Sequence, residues 1–263
     1  MRLVHSFSSE YCTKEKFDLY MYYFALSCIY AKESGFEMVL HCDNKTESIL
    51  RNAPYDEIIT DIPHIDPELK AFYAMPKFYA MTNEDLGAIH IDGDVFIKSP
   101  ELLDLMKFDN YDCIVQCVEK PERGWGYGWD TAKAMFRNCA YPEWAKRKCK
   151  AMCNCGIVGI NNKELKDEYF NTYWKMLNQF KIKGESREFG IPDLIIEQQF
   201  LKDLTTRKDY SVKELIDFNN LEGAKKIGYQ HVIGYNKEVN LDKVKLLVKK
   251  HNKDTYDKIT HLL

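Results

Sequence analysis

Apolar positions along the chain fall into short runs that alternate with helical stretches. Arg2 to Phe7 has a strand pattern, broken by the polar Ser8-Ser9-Glu10. A helical run follows from Thr13 to Ser34, with Thr13 as N-cap and Gly35 as the stop. Phe17, Tyr20, Met21, Tyr23, Phe24, Leu26 and Ile29 make that helix apolar nearly all round, which predicts burial. Glu37 to Cys42 is the next strand and ends at Asp43; Ile58 to Thr60 is a short one. Leu69 to Asn83 has helical spacing, entered or kinked at Pro76. Ala88 to Ile91 is an apolar strand that runs into Asp92-Gly93-Asp94. A short helix over Leu102 to Met106 and a strand over Asp112 to Val118 complete the first half. Such strand–helix–strand alternation predicts a mainly parallel sheet with helices on both faces. In sheets of that kind ligands bind beyond the carboxyl ends of the strands.

After Glu119 the texture changes. Pro121 to Trp129 is a loop in which Trp125, Tyr127 and Trp129 alternate with glycines. Helical pattern runs from Thr131 to about Ala151, with a break at Pro142. Gly156 to Ile160 is a strand leading through Asn161-Asn162 into a helix that ends near Gln179. Ile182 to Gly190 has the polar composition of a loop, and Pro192 opens a helix to Leu204. Short strands fall near Leu215 and Ile227, and Leu241 to Leu263 forms an amphipathic helix or pair of helices. With no repeat or linker, one domain over 1–263 is the simplest division: a nucleotide-binding half (1–120), a half that completes the acceptor and metal sites (121–240) and a helical tail (241–263).

Composition narrows the function classes. The chain of 263 residues carries 37 basic and 40 acidic side chains, a net charge of −3, and so lacks the basic surplus of a general nucleic-acid binder. No apolar stretch approaches the roughly 18 residues of a membrane span, and no secretory signal pattern is evident, so a cytoplasmic protein is expected. The nine cysteines are an odd count, and Cys28, Cys42, Cys113 and Cys117 lie in apolar runs, which fits reduced, buried thiols. Cys139, Cys149, Cys153 and Cys155 do not have zinc-ribbon spacing. Gly124, Gly126 and Gly128 neither follow a strand nor open a helix, so they do not form a dinucleotide or P-loop fingerprint.

The sharpest chemical signal is Ile89-His90-Ile91-Asp92-Gly93-Asp94. Two carboxylates at the end of a buried strand are costly to desolvate unpaired. A hard divalent cation, Mn²⁺ or Mg²⁺, offsets that cost with oxygen ligands. Alternatively, Asp92 caps the next turn and Asp94 is solvated. Far downstream, His231 offers an imidazole, Gly234 permits close backbone approach, and Lys237 places a point charge suited to a diphosphate oxygen.

Asp92-Gly93-Asp94 with the later His231-x-x-Gly234-x-x-Lys237 resembles the GT-A glycosyltransferases, most of all the family-8-type retaining enzymes that include glycogenin and bacterial galactosyltransferases. Three further matches stand in that family's order. Lys77, 15 positions before Asp92, falls close to a donor-contacting base. Asn154-Cys155-Gly156 is similar to a strand whose Asn faces the donor sugar. Glu197-Gln198-Gln199-Phe200-Leu201 resembles an Asp-Gln-Asp-x-Leu segment. The resemblance covers most of the chain, from the first strand to Lys237. Glu197 and Gln199 depart from it, as does Glu238-Val239 where Pro-Trp often follows the family's lysine.

The resemblance implies a GT-A, Rossmann-like α/β fold and a metal-dependent transfer of sugar, with retention, from a UDP-sugar to a glycan, lipid or protein acceptor. It implies Asp92, Asp94 and His231 as metal ligands and Gly234 and Lys237 as diphosphate contacts. Gln198 or Glu197 is the candidate for the sugar face opposite the leaving group. Ser8 and Tyr11, beyond the first strand, are placed at the nucleoside, with Asp43 a weaker candidate; Tyr11 either stacks on the base or packs on the next helix. Trp125 is either part of an acceptor platform or of a packed lid. The basic face of the tail is either solvated or a peripheral contact with anionic lipid. Two other functions stay open: a nucleotidyltransferase, whose glycine-rich N-terminal loop has no counterpart at His5 to Thr13, and a catalytically idle GT-A-like module that binds a sugar or a partner.

Overall fold

The structure is a computed structural model that describes residues 1–69, 72–119, 151–183, 193–217, 221–232 and 236–263. The expected aromatic loop with Trp125, the helical pattern from Thr131 and Gly234 lie outside the described residues.

β1 (Arg2–Phe7), β2 (Glu37–Cys42), β3 (Glu57–Ile59), β4 (Ile89–Ile91), β6 (Cys113–Glu119), β7 (Met152–Ile160) and β8 (Val212–Glu214) form a seven-stranded sheet in the order β3-β2-β1-β4-β7-β6-β8. Its pairs are parallel except those of β7, which runs against both β4 and β6. Two further short strands, β5 (Val95–Ile97) and β9 (Tyr229–His231), make a separate antiparallel ribbon.

Helices cover both faces, as the alternation predicts. On one side Val4, Val115, Val158 and Ile160 pack beneath α3 (Met75–Asn83), α5 (Lys163–Lys183) and α6 (Phe200–Arg207). The stack of Phe78 on Tyr173, 3.4 Å between ring centroids, locks α3 to α5. On the other side Leu3, Met38, Leu40, Ile89 and Ile157 face α1 (Lys14–Glu33), α4 (Glu101–Leu105) and the tail helices. α1 starts after Thr13 and ends before Gly35, which takes a positive φ of 90° that an L side chain disfavours. A short α2 (Asn44–Leu50) starts at Asp43, whose carboxylate accepts from the amide of Thr46. α7 (Leu221–Lys226) precedes β9, and the tail is two helices, α8 (Asn236–His251) and α9 (Lys253–Leu262).

Several boundaries differ from the sequence pattern, each for a local reason. The helix expected from Leu69 begins at Met75, because Pro76 fits the first helical turn while Pro67–Leu69 closes a separate 3₁₀ turn. The strand expected from Gly156 begins at Met152, since β7 is buried along nearly its whole length between two neighbours. The helix expected from Pro192 is described from Leu194, as a π-helical stretch over Leu194–Gln199 that runs into α6. Val95–Ile97 was covered by no expected strand; it is too short for a periodicity signal and exists by pairing with β9.

Candidate active site

The sheet places a crevice between the carboxyl ends of β1 and β4. From β1 the chain continues to β2 on one side, and β4 lies on the other, so this is the topological switch point of the parallel half. A cavity of about 390 Å³ opens there. Ser6, Phe7, Ser8 and Tyr11 line it from β1 and the following turn, His90 and Asp92 to Asp94 from β4. Lys77, Asn154, Gly156, Glu197, Gln198, His231 and Lys237 complete the wall. Eleven of the thirteen expected site residues, metal candidates included, thus share one space; Gly234 and Trp125 are outside the described residues.

The β5–β9 ribbon brings the two distant motifs together. Val95 is the register partner of His231, so the residue before Val95 lies beside the imidazole. Val232 donates its amide to the Asp94 carbonyl at 3.0 Å and closes this junction. Asp92, Asp94 and His231 each turn one ligand atom into a cluster spanning no more than 4.8 Å. His231 Nε2 stands 3.4 Å from Asp94 Oδ1. Two donors each about 2.1 Å from a shared ion can lie that far apart, so the spacing fits a small divalent cation. The donor chemistry fits as well: two hard carboxylate oxygens and one imidazole suit Mn²⁺.

Two lysines bind the same carboxylates. Lys237 Nζ is 2.6 Å from Asp94 Oδ2, and Lys77 Nζ is 3.0 Å from Asp92 Oδ1. Lys77 also donates to Glu197 Oε1 at 2.7 Å and to the Cys155 carbonyl at 2.8 Å. Burial disfavours the Lys77 ammonium, but Asp92 and Glu197 more than reverse this and keep it charged. Burial pushes the Asp94 carboxyl up, and His231 and Lys237 outweigh it and hold it well below the ordinary carboxylate range. The same contest raises His231: burial lowers its pKa, and Asp94 lifts it above 6.5. For Glu197 burial wins, and its pKa rises despite the pull of Lys77.

Glycines serve the site through space rather than flexibility. A Cβ on Gly93 would stand 2.3 Å from the Phe24 ring, so Gly93 makes room for the core aromatic. A Cβ on Gly156 would fall 2.6 Å from both Gln116 Oε1 and His231 Cε1. Gly156 is also part of an irregularity in β7. Val115 pairs with Val158, so an unbroken ladder would pair Cys117 with Gly156; it pairs with Asn154 instead. The looped-out segment offers its carbonyls inward, Cys155 to Lys77 and Gly156 to the Asp92 amide at 2.9 Å.

Asn154 holds that loop, accepting from the Gly156 amide at 3.0 Å and donating to Glu119 Oε1. Ser8 caps the turn after β1 and accepts from the Glu10 amide. Asp43 is engaged by the amides of Ser9 and Thr46 and does not line the cavity.

Three residues in or behind the site were not singled out as functional in the sequence. Gln116 is buried behind His231; Asp193 is buried one turn before Glu197; Tyr20 lies under Lys237, 5.2 Å from Nζ to the ring centroid. Of these, only Tyr20 belonged to a recognisable pattern, the apolar helix α1.

A family model described as a family of unknown function, DUF6734, matches residues 1–262. A comparison with curated proteins found no match. Among solved structures, the chain is similar to the glycosyltransferase GlyE of Streptococcus pneumoniae TIGR4 at 13% identity and a TM-score of 0.49, covering 99% of this chain and 63% of that one. It thus spans less than two thirds of that protein's length. The galactosyltransferase LgtC, in complex with donor and acceptor sugar analogues, aligns at 11% identity and a TM-score of 0.47, over 95% of this chain and 96% of that one. Mouse xyloside xylosyltransferase 1 aligns at 12% identity and a TM-score of 0.40, over 90% and 95%. Among the described residues no helix is long and apolar enough to cross a membrane.

Proposed function

The chain belongs to the DUF6734 family, whose function is unknown, and from that starting point we propose that it is a metal-dependent glycosyltransferase of GT-A type. It transfers a sugar, with retention at the anomeric carbon, from a UDP-sugar to a hydroxyl acceptor. One observation carries the proposal: Asp92, Asp94 and His231, from two separate parts of the chain, converge within 4.8 Å in the wall of the switch-point cavity. The ordered motifs from Lys77 to Lys237 support it independently.

Asp92, Asp94 and His231 would hold the cation, Mn²⁺ by preference. A bound divalent ion there supplies Lewis-acid stabilisation of the negative charge that gathers on a departing diphosphate. Lys237 and Lys77 are ammonium groups in the same cavity wall, and their charge favours the same oxygens. The nucleoside lies against Ser8 and Tyr11 at the end of β1, where the cavity wall is mixed aromatic and polar.

Gln198 and Glu197 face the sugar from the π-helical turn. Glu197 is buried and tied to Lys77, so its carboxylate is already committed. Gln198 lines the cavity with a neutral amide whose carbonyl oxygen can face positive charge developing at the anomeric carbon. Gly234 and Trp125 complete the proposal at the diphosphate and the acceptor.

The test is release of UDP from a panel of UDP-sugars, assayed with Mn²⁺, with Mg²⁺ and with EDTA. Metal-dependent release from at least one donor is expected. Tight UDP binding with no release from any donor, with or without candidate acceptors, would instead identify a binding module.

A further inference from the structure

Behind His231 stands a polar side chain that the proposed chemistry does not use. Gln116 lies in the middle of β6, 4% exposed, opposite the looped-out part of β7. Its Oε1 accepts from His231 Nδ1 at 2.8 Å and from the Tyr229 hydroxyl at 2.7 Å. Both donors come from β9, two residues apart and therefore on one face of that strand. A single amide oxygen thus gathers the two inward side chains of the ribbon. The space it occupies exists because residue 156 has no side chain.

The consequence concerns the imidazole's two nitrogens. A neutral ring carries one proton, and the hydrogen bond made by one nitrogen decides which one bears it. Without Gln116, the nearest acceptor is the Asp94 carboxylate beside Nε2. A proton there would occupy the lone pair that a cation needs. We propose that Gln116 is the positioning residue that keeps the proton of His231 on Nδ1 and turns the Nε2 lone pair toward Asp92 and Asp94. This rests on the cation site proposed above, and it adds a residue from the opposite half of the sheet to that site's function. Gln116 touches neither cation nor substrate; it acts through His231, and Tyr229 helps to fix its oxygen.

The test has two readouts. In metal-free protein at alkaline pH, where the ring is neutral, long-range proton–nitrogen NMR reports which nitrogen of His231 is protonated; a His231→Gln sample assigns the signal. Wild type is expected to show a protonated Nδ1. Gln116→Met should move the proton to Nε2, and Gln116→Glu, which keeps an acceptor oxygen, should leave it on Nδ1. Gln116→Asn, whose oxygen is drawn back by one carbon, should behave as the Met variant and replaces it if that variant does not fold. A wild-type ring protonated on Nε2, or Met and Asn variants with Nδ1 still protonated, would overturn the proposal. The second readout is Mn²⁺ affinity, expected to fall about 10- to 100-fold in the Met and Asn variants and to be kept in the Glu variant. If wild type binds no Mn²⁺, the cation reading fails, and the NMR result still decides the role of Gln116.

Discussion

His231 and Asp94 lie 137 positions apart in the chain and 3.4 Å apart in space, because Val95 and His231 are register partners in a two-stranded ribbon. The ribbon leaves Asp94 buried between an imidazole and the Lys237 ammonium. Removing the carboxylate's charge leaves Lys237 without its counterion in a desolvated position. Asp94→Asn should therefore lose stability by about 3 kcal/mol, since breaking one side of a buried ion pair strands the other. Urea unfolding in EDTA measures this; an unchanged midpoint would mean that Lys237 is already solvated.

The pH dependence of cation binding follows from His231. Burial lowers its pKa, and Asp94 reverses this and raises it above 6.5. In metal-free protein the folded state holds this proton more tightly than the unfolded chain. Its contribution to stability is complete below about pH 6.5 and is lost as pH rises through the higher folded value. A cation must displace the same proton, so Mn²⁺ affinity should climb with pH through that value and then level off. Titrations across the range check this, and an affinity independent of pH would contradict it.

Asp193 shifts stability with pH in the same direction, from a buried acid rather than an ion pair. Burial, reinforced by Glu197, raises its pKa well above the ordinary carboxylate value, so the folded chain holds this proton more tightly than the unfolded one. An unfolded Asp ionises near pH 3.9, and stability is lost as pH rises from there toward the folded value. One oxygen accepts from the Ala74 amide at 3.2 Å, and the other is buried with no hydrogen-bond partner among the described residues. Asp193→Asn keeps that acceptor without the ionisation. It should be at least as stable as wild type at neutral pH, with a shallower loss of stability from about pH 5 to pH 7. Denaturation curves at both ends measure the difference.

Gly156→Ala tests the packing behind the site. Its Cβ would meet Gln116 Oε1 and His231 Cε1 at 2.6 Å, and the two side chains are tied to each other and to Tyr229 by hydrogen bonds that a shift would break. Overpacking of this kind costs about 1–3 kcal/mol. Here it should also weaken Mn²⁺ binding, because the ring that moves is the one that faces Asp94. A variant that binds Mn²⁺ as wild type does would show that the imidazole tolerates displacement.

The parallel half of the fold was legible because its strands are buried apolar runs ended by polar residues, and its first helix carries both a cap and a terminal glycine. Asp92, Asp94, His231 and Lys237 stood out as charged or imidazole groups beside expected strands, where chemistry rather than packing selects residue type; Lys77 was picked out only by its place in the family resemblance. Gln116 was not legible. It sits inside an apolar strand and faces the site only because β7 loops out opposite it, and such irregularities depend on pairing between strands. Asp193 escaped notice for a similar reason: the groups packed on it, Ala74 at the start of α3 and Lys77 within it, are far away in sequence. The β5–β9 ribbon is three residues per strand, too short for any period to emerge, yet it decides whether the two halves of the candidate cation site meet.

The most direct test is calorimetric titration of UDP into the protein with saturating Mn²⁺ and, separately, in EDTA, alongside an Asp92→Asn variant. UDP should bind the wild type only when Mn²⁺ is present, and the variant should lose that binding. Equal UDP affinity in EDTA, or in the variant, would contradict a cation held by Asp92, Asp94 and His231 as the grip on the diphosphate.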